Sequence, residues 1–452
     1  MKKFLFVLFV LGLTGAAWAQ VPSRAQFDSA TGRYEIEQGA TITVAVDSDS
    51  LGQTLVDLWN RSHPEAAGGV EFVNLSSSAA AQKLAGPTDE APDVVMASVS
   101  DLLPLADHLA AIDGNLVQAA YQNVDRTFYK SANEKFNAVA ALPLAYDGLV
   151  FAWNKKMLAA LGYDVSQVTP DNLSSSFDTW EKIFSVAKEW QAHRPVYLDR
   201  TVDVLFPLPL DDLLAGYPAV TVGGWQIFKE GNPLKPGFEK SEFLKGIEFI
   251  KAAADAKISV GPDGTLTPGS LMRQNPDAFL AEQMTPFGLV ETGTDLEAVL
   301  TQPEDIQFSR MPTWRNTRMT PLMSVKVGVI NGFTRFPSAA CELLRLWYTK
   351  EGMQALVDHS PYIPPLIRDA KIAPDYSGNS LKAQMLAALT SSVPEPVSLW
   401  LPLGHQAAVE VLRDGGVTRI FQDVWDGAKT PQEGQKAVVA AADRWINANN
   451  QK

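Results

Sequence analysis

The chain has 452 residues, of which 46% are hydrophobic and 20% charged, and it carries a formal net charge of −13. That length exceeds what one hydrophobic core fills and predicts two or three domains. An acidic chain without a visible basic cluster argues against nucleic acid and anionic membrane surfaces as partners.

The first residues carry an export signal. Lys2 and Lys3 precede the apolar run Phe4 to Leu13, and Ala17-Trp18-Ala19 supplies the small-x-small site, with cleavage expected before Gln20. The run is short for a bilayer span, and no later stretch approaches ~20 apolar residues. No cysteine lies near that site to take a lipid anchor, so an exported, soluble, periplasmic chain is expected. The one cysteine, Cys341, sits beside Leu343 and Leu344 in an apolar helical pattern; no intrachain disulfide is possible, and a buried structural thiol is expected.

Beyond a polar arm, Thr41 to Val46 is a β-branched run that predicts the first strand. It ends in Asp47-Ser48-Asp49-Ser50, after which Leu51, Leu55, Leu58 and Trp59 take helical spacing, with Asp49 or Ser50 expected as the N-cap. Val70 to Leu75 predicts a second strand, Ser78 to Leu84 a short helix, and Pro92 to Met96 a third strand ending at Ala97 to Asp101. This alternation predicts a parallel α/β sheet, whose ligands gather where strand ends turn into helices. Residues 47–50, Ser98 to Asp101, and Tyr146-Asp147 fall at such ends. Each also suits a mere helix cap.

The stretch Ala141 to Gly162 places Tyr146-Asp147-Gly148 between two apolar runs, Ala141 to Ala145 and Leu149 to Trp153. Two strand-like runs joined at a polar turn read as a chain leaving one lobe for another, or as one interior strand bulged at Gly148. Asp178-Thr179-Trp180-Glu181 resembles a capping box ahead of an apolar face of Trp180, Ile183, Phe184, Ala187 and Trp190. A further amphipathic helix carries Phe243, Ile247 and Ile250. Val325 to Asn331 predicts a strand returning to the first lobe, Pro337 to Asp358 a helical hairpin, and Val438 to Ile446 an amphipathic tail.

Taken in order, these features resemble the extracellular solute-binding proteins that feed ABC importers, in the maltose-binding-protein-like branch. The landmarks are Pro92 to Met96, the Leu142 to Leu149 crossover, Trp153-Asn154-Lys155, Thr179-Trp180-Glu181, Phe279 to Thr285, the Met311-Pro312 loop, and Leu343 to Gly352 with Thr349-Lys350-Glu351-Gly352. The resemblance implies two α/β lobes joined by three hinge crossings, near 145–149, 323–327 and 369–375. It implies a signal peptide over 1–19, an N-terminal lobe of 20–145 with 328–372, and a C-terminal lobe of 149–322 with 376–452. Its ligand-holding positions fall on Asp49 with Ser50, Asp101 and Asp147, with Trp400 and Glu291 from the second lobe. Carboxylates suit a sugar because each accepts two hydroxyl hydrogen bonds.

The sequence departs from that branch where Ser50 replaces a basic residue and where Gly288-Leu289-Val290-Glu291 replaces a Pro-Trp loop. The aromatic platform is thinned, with Trp225, Trp314, Tyr217 and Tyr362 as substitutes that also suit plain packing. The resemblance implies a monomeric transport protein, no cofactor, a small solute (most simply a saccharide), and inner-membrane permease subunits as partners. A hydrolase remains the alternative, since Asp49, Asp101, Asp147 and Glu291 could converge as a carboxylate pair. No dedicated acid, zinc spacing or complete calcium loop accompanies them. A non-transport envelope protein is the third reading.

Overall fold

The computed structural model describes residues 22–86, 90–133, 139–202, 204–208, 236–258, 285–299, 302, 305–319, 323–392 and 415–449. The signal segment lies outside them, as do Tyr217, Trp225, Trp400 and nearly all of the Phe279 to Thr285 landmark.

Among the described residues, seven strands form the main sheet. β1 (Ile42–Val46), β2 (Val70–Asn74) and β3 (Val94–Ser98) run parallel with β1 in the centre. β4 (Ala141–Asn154), β5 (Phe287–Glu291), β6 (Ile306–Ser309) and β7 (Met323–Ile330) complete it. The order is β6-β4-β7-β3-β1-β2, with β5 also on β4. Only β1 to β3 meet the expectation of a parallel sheet. β7 returns antiparallel between β3 and β4.

β4 is the organising element, and it is one strand rather than two. Its first half pairs with β7 from Ala141 to Gly148; its second half lies between β5 and β6 from Leu149 to Asn154. Asp147 and Gly148 stay extended, opposite Ser324 and Met323. The bulge falls not at Gly148 but where Lys326 faces Ala145 and Val327 faces Pro143, leaving Leu144 as the extra residue.

Two cores follow from the side chains. Strand alternation sends Leu149, Phe151 and Trp153 to one face and Val150 and Ala152 to the other. The first face meets an aromatic cluster in which Phe151 stacks on Phe287 at 5.6 Å between centroids and Trp180 sits edge-on to Phe249 at 5.0 Å. α3 (Trp180–His193) and α4 (Ser241–Asp255) bury the faces expected of them there. The other core holds β1 to β3 and β7.

α1 (Asp49–Ser62) opens after a different cap from the expected one. Ser48 is the N-cap and accepts from the Leu51 amide, which leaves Asp49 in the first turn, where the helix dipole favours an acid. α2 (Ser77–Leu84) is capped by Ser76. The capping box is also shifted: Thr179 caps α3, and Glu181 accepts instead from the Arg315 amide at 2.8 Å. The hairpin is α5 (Pro337–Trp347) and α6 (Lys350–His359), packed on α1. Cys341 within α5 is 2% exposed, and burial pushes its thiol up to about 12. α7 (Ser380–Ser392) covers the open face of the β4-β6 pair, and α8 (Val417–Trp425) and α9 (Pro431–Asn449) pack on α4. Among the described residues no helix is long and apolar enough to cross a membrane.

Candidate functional site

The carboxyl ends of β1, β2 and β3 bring polar residues to one edge, as expected, but their side chains pair off locally. Asp49 Oδ1 accepts from the Asn74 side chain at 3.0 Å. Asp101 accepts from Ser77, whose Oγ in turn takes the Ser98 amide at 2.7 Å. Ser50 Oγ lies 2.9 Å from His359 Nδ1 at the end of α6. Asp147 is on the crossing strand opposite Ser324. Glu291 ends β5 exposed to solvent, opposite Leu149. Trp400 lies outside the described residues. Of the substitute aromatics, Trp314 is buried with its indole donating to the Lys245 carbonyl at 3.0 Å, and so serves packing.

The structure adds a cluster that the strand-end pattern did not assign. Lys326 on β7 donates to Asp47 at the end of β1 and to the Tyr362 hydroxyl, which also donates to Asp47. The ammonium lies 4.2 Å from the Tyr362 ring centroid. Both charges are largely buried, Lys326 at 11% and Asp47 at 18% side-chain exposure. Asp47 Oδ1 has no hydrogen-bond partner among the described residues. The sequence held one signal: Lys326 interrupts the apolar run Val325 to Ile330, and a buried lysine needs a counter-charge.

Tyr362 also touches the loop after β5. A Cβ on Gly293 would meet its ring at 3.0 Å, so glycine permits this approach. Beside it Thr292 ties that loop to the crossing strand: its hydroxyl donates to the Tyr146 carbonyl and accepts from the Gly148 amide, each at 3.1 Å.

Next to this junction lies a cavity of about 320 Å³. Ser48 and Ser50 at the start of α1 form one wall, and Thr294, Asp295 and Leu296 after β5 form another. The end of α6 and the start of α7 close it. Residues that follow β1 and residues that follow β5 therefore bound one hollow. Among the described residues no cluster of His, Cys, Asp and Glu can hold a metal ion.

A family model for bacterial extracellular solute-binding proteins matches residues 64–380. No curated protein matches the sequence. Among solved structures, the maltose-binding periplasmic protein of Listeria monocytogenes in complex with maltose is similar at a TM-score of 0.70 and 17% identity, covering 91% of this chain and 99% of that one. The GacH receptor of Streptomyces glaucescens, solved unliganded and with acarbose, is similar at a TM-score of 0.66 and 16% identity, with the same coverage.

Proposed function

Because the chain belongs to the bacterial extracellular solute-binding protein family, we propose that it captures a saccharide between two lobes and delivers it to an ABC permease in the inner membrane. The observation that carries the reading is the cavity bounded by residues after β1 and residues after β5, on a fold shared with a maltose-bound and an acarbose-bound protein. Residues 20–145 with 328–372 form one jaw and 149–322 with 376–452 the other, with crossings near 145–149, 323–327 and 369–375. Cleavage near Ala19-Gln20 releases a monomer into the periplasm. Ser50, with Asp49, Asp101, Asp147, Glu291 and Trp400, contributes to the ligand cleft. A ligand that touches both jaws stabilises the closed form by its differential affinity, and that gain must exceed the ordering cost of closure.

The test is a thermal-shift screen of residues 20–452 against sugars, polyols and oligosaccharides. A ligand at 100 times its dissociation constant adds about 2.7 kcal/mol, a clear rise in melting temperature. A saccharide hit recovered unchanged supports capture. A hit that is consumed supports the hydrolase, and a panel without any response would refute the saccharide assignment.

A further inference from the structure

The cavity beside the Asp47–Lys326–Tyr362 cluster has walls of a consistent chemistry. At one side α1 is stapled to α6: Ser48 Oγ donates to the His359 carbonyl at 2.8 Å, and Ser50 Oγ shares a hydrogen bond with His359 Nδ1. Facing them, Thr294 and Asp295 follow β5, and Asp295 caps the short helix Leu296–Val299 by accepting from the Ala298 amide at 3.2 Å. Among the described residues Lys382 is the lysine of the lining, and its ammonium is turned onto the Val357 and Ser360 carbonyls at the end of α6. A ligand carboxylate or phosphate would meet Asp295 and Asp358 in the same walls, and two acids disfavour an anion. Hydroxyl and imidazole groups, which both donate and accept, match the hydroxyls of a neutral ligand. Leu296, Leu381 and Met385 supply an apolar strip for the C–H face of a ring. At about 320 Å³ the cavity sits at the small end of ligand pockets, which run from roughly 300 to 1,000 Å³.

We propose that this cavity is the solute seat, that it takes a neutral polyhydroxylated ligand of one or two rings, and that Ser50 with His359 on one wall and Thr294 on the other read its hydroxyls. The proposal rests on the saccharide reading above and narrows it. It places the hydroxyl-reading side chains at the α1–α6 junction and on the loop after β5. The Ser50–His359 hydrogen bond already orients the imidazole edge, so a ligand finds that wall preorganised. Thr294 follows Gly293 and its contact with Tyr362, so a ligand drawn to Thr294 pulls on the loop that Thr292 ties to the crossing strand.

The test is isothermal titration of the mature chain with glucose, galactose, maltose, trehalose and maltotetraose. The variants are His359→Ala, His359→Asn, Thr294→Val and Asp101→Asn, each checked for an intact melting transition. The expected result is binding of a mono- or disaccharide and none of maltotetraose. Loss of one hydrogen bond weakens binding about threefold to tenfold, so His359→Ala and Thr294→Val should each show that loss, with part of the affinity kept in His359→Asn. If His359→Ala unfolds the chain, Thr294→Val alone decides the matter from the opposite wall. Affinity unchanged in folded His359→Ala and Thr294→Val, with binding abolished in Asp101→Asn, would overturn the seat and leave saccharide capture standing. Tight binding of maltotetraose would overturn the size limit. A titration blank for every sugar would overturn the saccharide reading and the ligand class together.

Discussion

Replacing Lys326 by methionine tests how the crossing strands are held. The substitution keeps length and apolar packing but removes the ammonium that serves Asp47 and Tyr362. Truncating one member of a buried ion pair typically costs ~3–5 kcal/mol, because the other charge is left desolvated. Asp47 retains the Tyr362 hydroxyl, and its side chain is 18% exposed. The expected cost is therefore at the low end, about 3 kcal/mol. Tyr362→Phe leaves the ion pair intact and should cost about 1.5–3 kcal/mol, the value of a hydrogen bond to a charged group. The double variant Asp47→Asn with Lys326→Met should recover part of the loss, because no charge is stranded. Urea unfolding followed by tryptophan fluorescence reads all three, since Trp59 and Trp347 report on this core. A Lys326→Met cost below about 1 kcal/mol, the range of exposed pairs, would refute the buried-cluster account. So would strict additivity in the double variant when it is compared with Lys326→Met and Asp47→Asn singly.

Three further outcomes follow from the same geometry. Ser309→Ala removes the acceptor of the buried Trp153 indole, held at 2.6 Å, and should destabilise the second core by about 1–3 kcal/mol in urea unfolding. Thr292→Val orphans the Gly148 amide and should cost a similar ~1–3 kcal/mol, with faster amide exchange at Gly148 as its local signature; unchanged exchange would remove Thr292 from the junction. Burial raises the Glu342 carboxyl, but hydrogen bonds from Arg345, His63 and the Tyr34 amide outweigh it and hold the group below its ordinary 4.5. A depressed carboxyl stabilises the fold above the unfolded value and loses that contribution as pH falls through the folded one. The urea midpoint should accordingly drop below about pH 4.5, and Glu342→Gln should flatten the drop. Asp93, raised by burial against hydrogen bonds from Thr334 and the Thr43 amide, acts with the opposite sign and offsets part of it.

Periodicity was legible wherever a face is buried on one side. The apolar spacing of α3 and α4 and the β-branched runs of β1 and β7 led to elements within a few residues of those observed, whereas α9 begins seven residues before the Val438 read as its start. The stretch Ala141 to Gly162 reads as two runs joined at a turn or as one strand bulged at Gly148; Ala141–Asn154 is one strand, with the bulge at Leu144. Asp147 and Gly148 resemble a turn by composition, yet extended partners at Ser324 and Met323 keep them in the ladder. Strand-end polarity could be seen in the sequence, whereas the partners could not. Asp49 turns to Asn74 and Asp101 to Ser77, while Ser50 turns to His359, 309 residues away. Such choices belong to topology, which local pattern does not encode. Ser48 taking the cap from Asp49 or Ser50 is the same lesson at short range, since neighbouring Ser and Asp compete on nearly equal terms.

Cys341 has a practical meaning for a member of an extracellular solute-binding family. A chain with a single thiol has no pairing step to complete, so its maturation does not wait on oxidation catalysts. The same thiol is sealed within α5 and held protonated. Maleimide dyes would therefore label engineered surface cysteines selectively, with the native residue left in place.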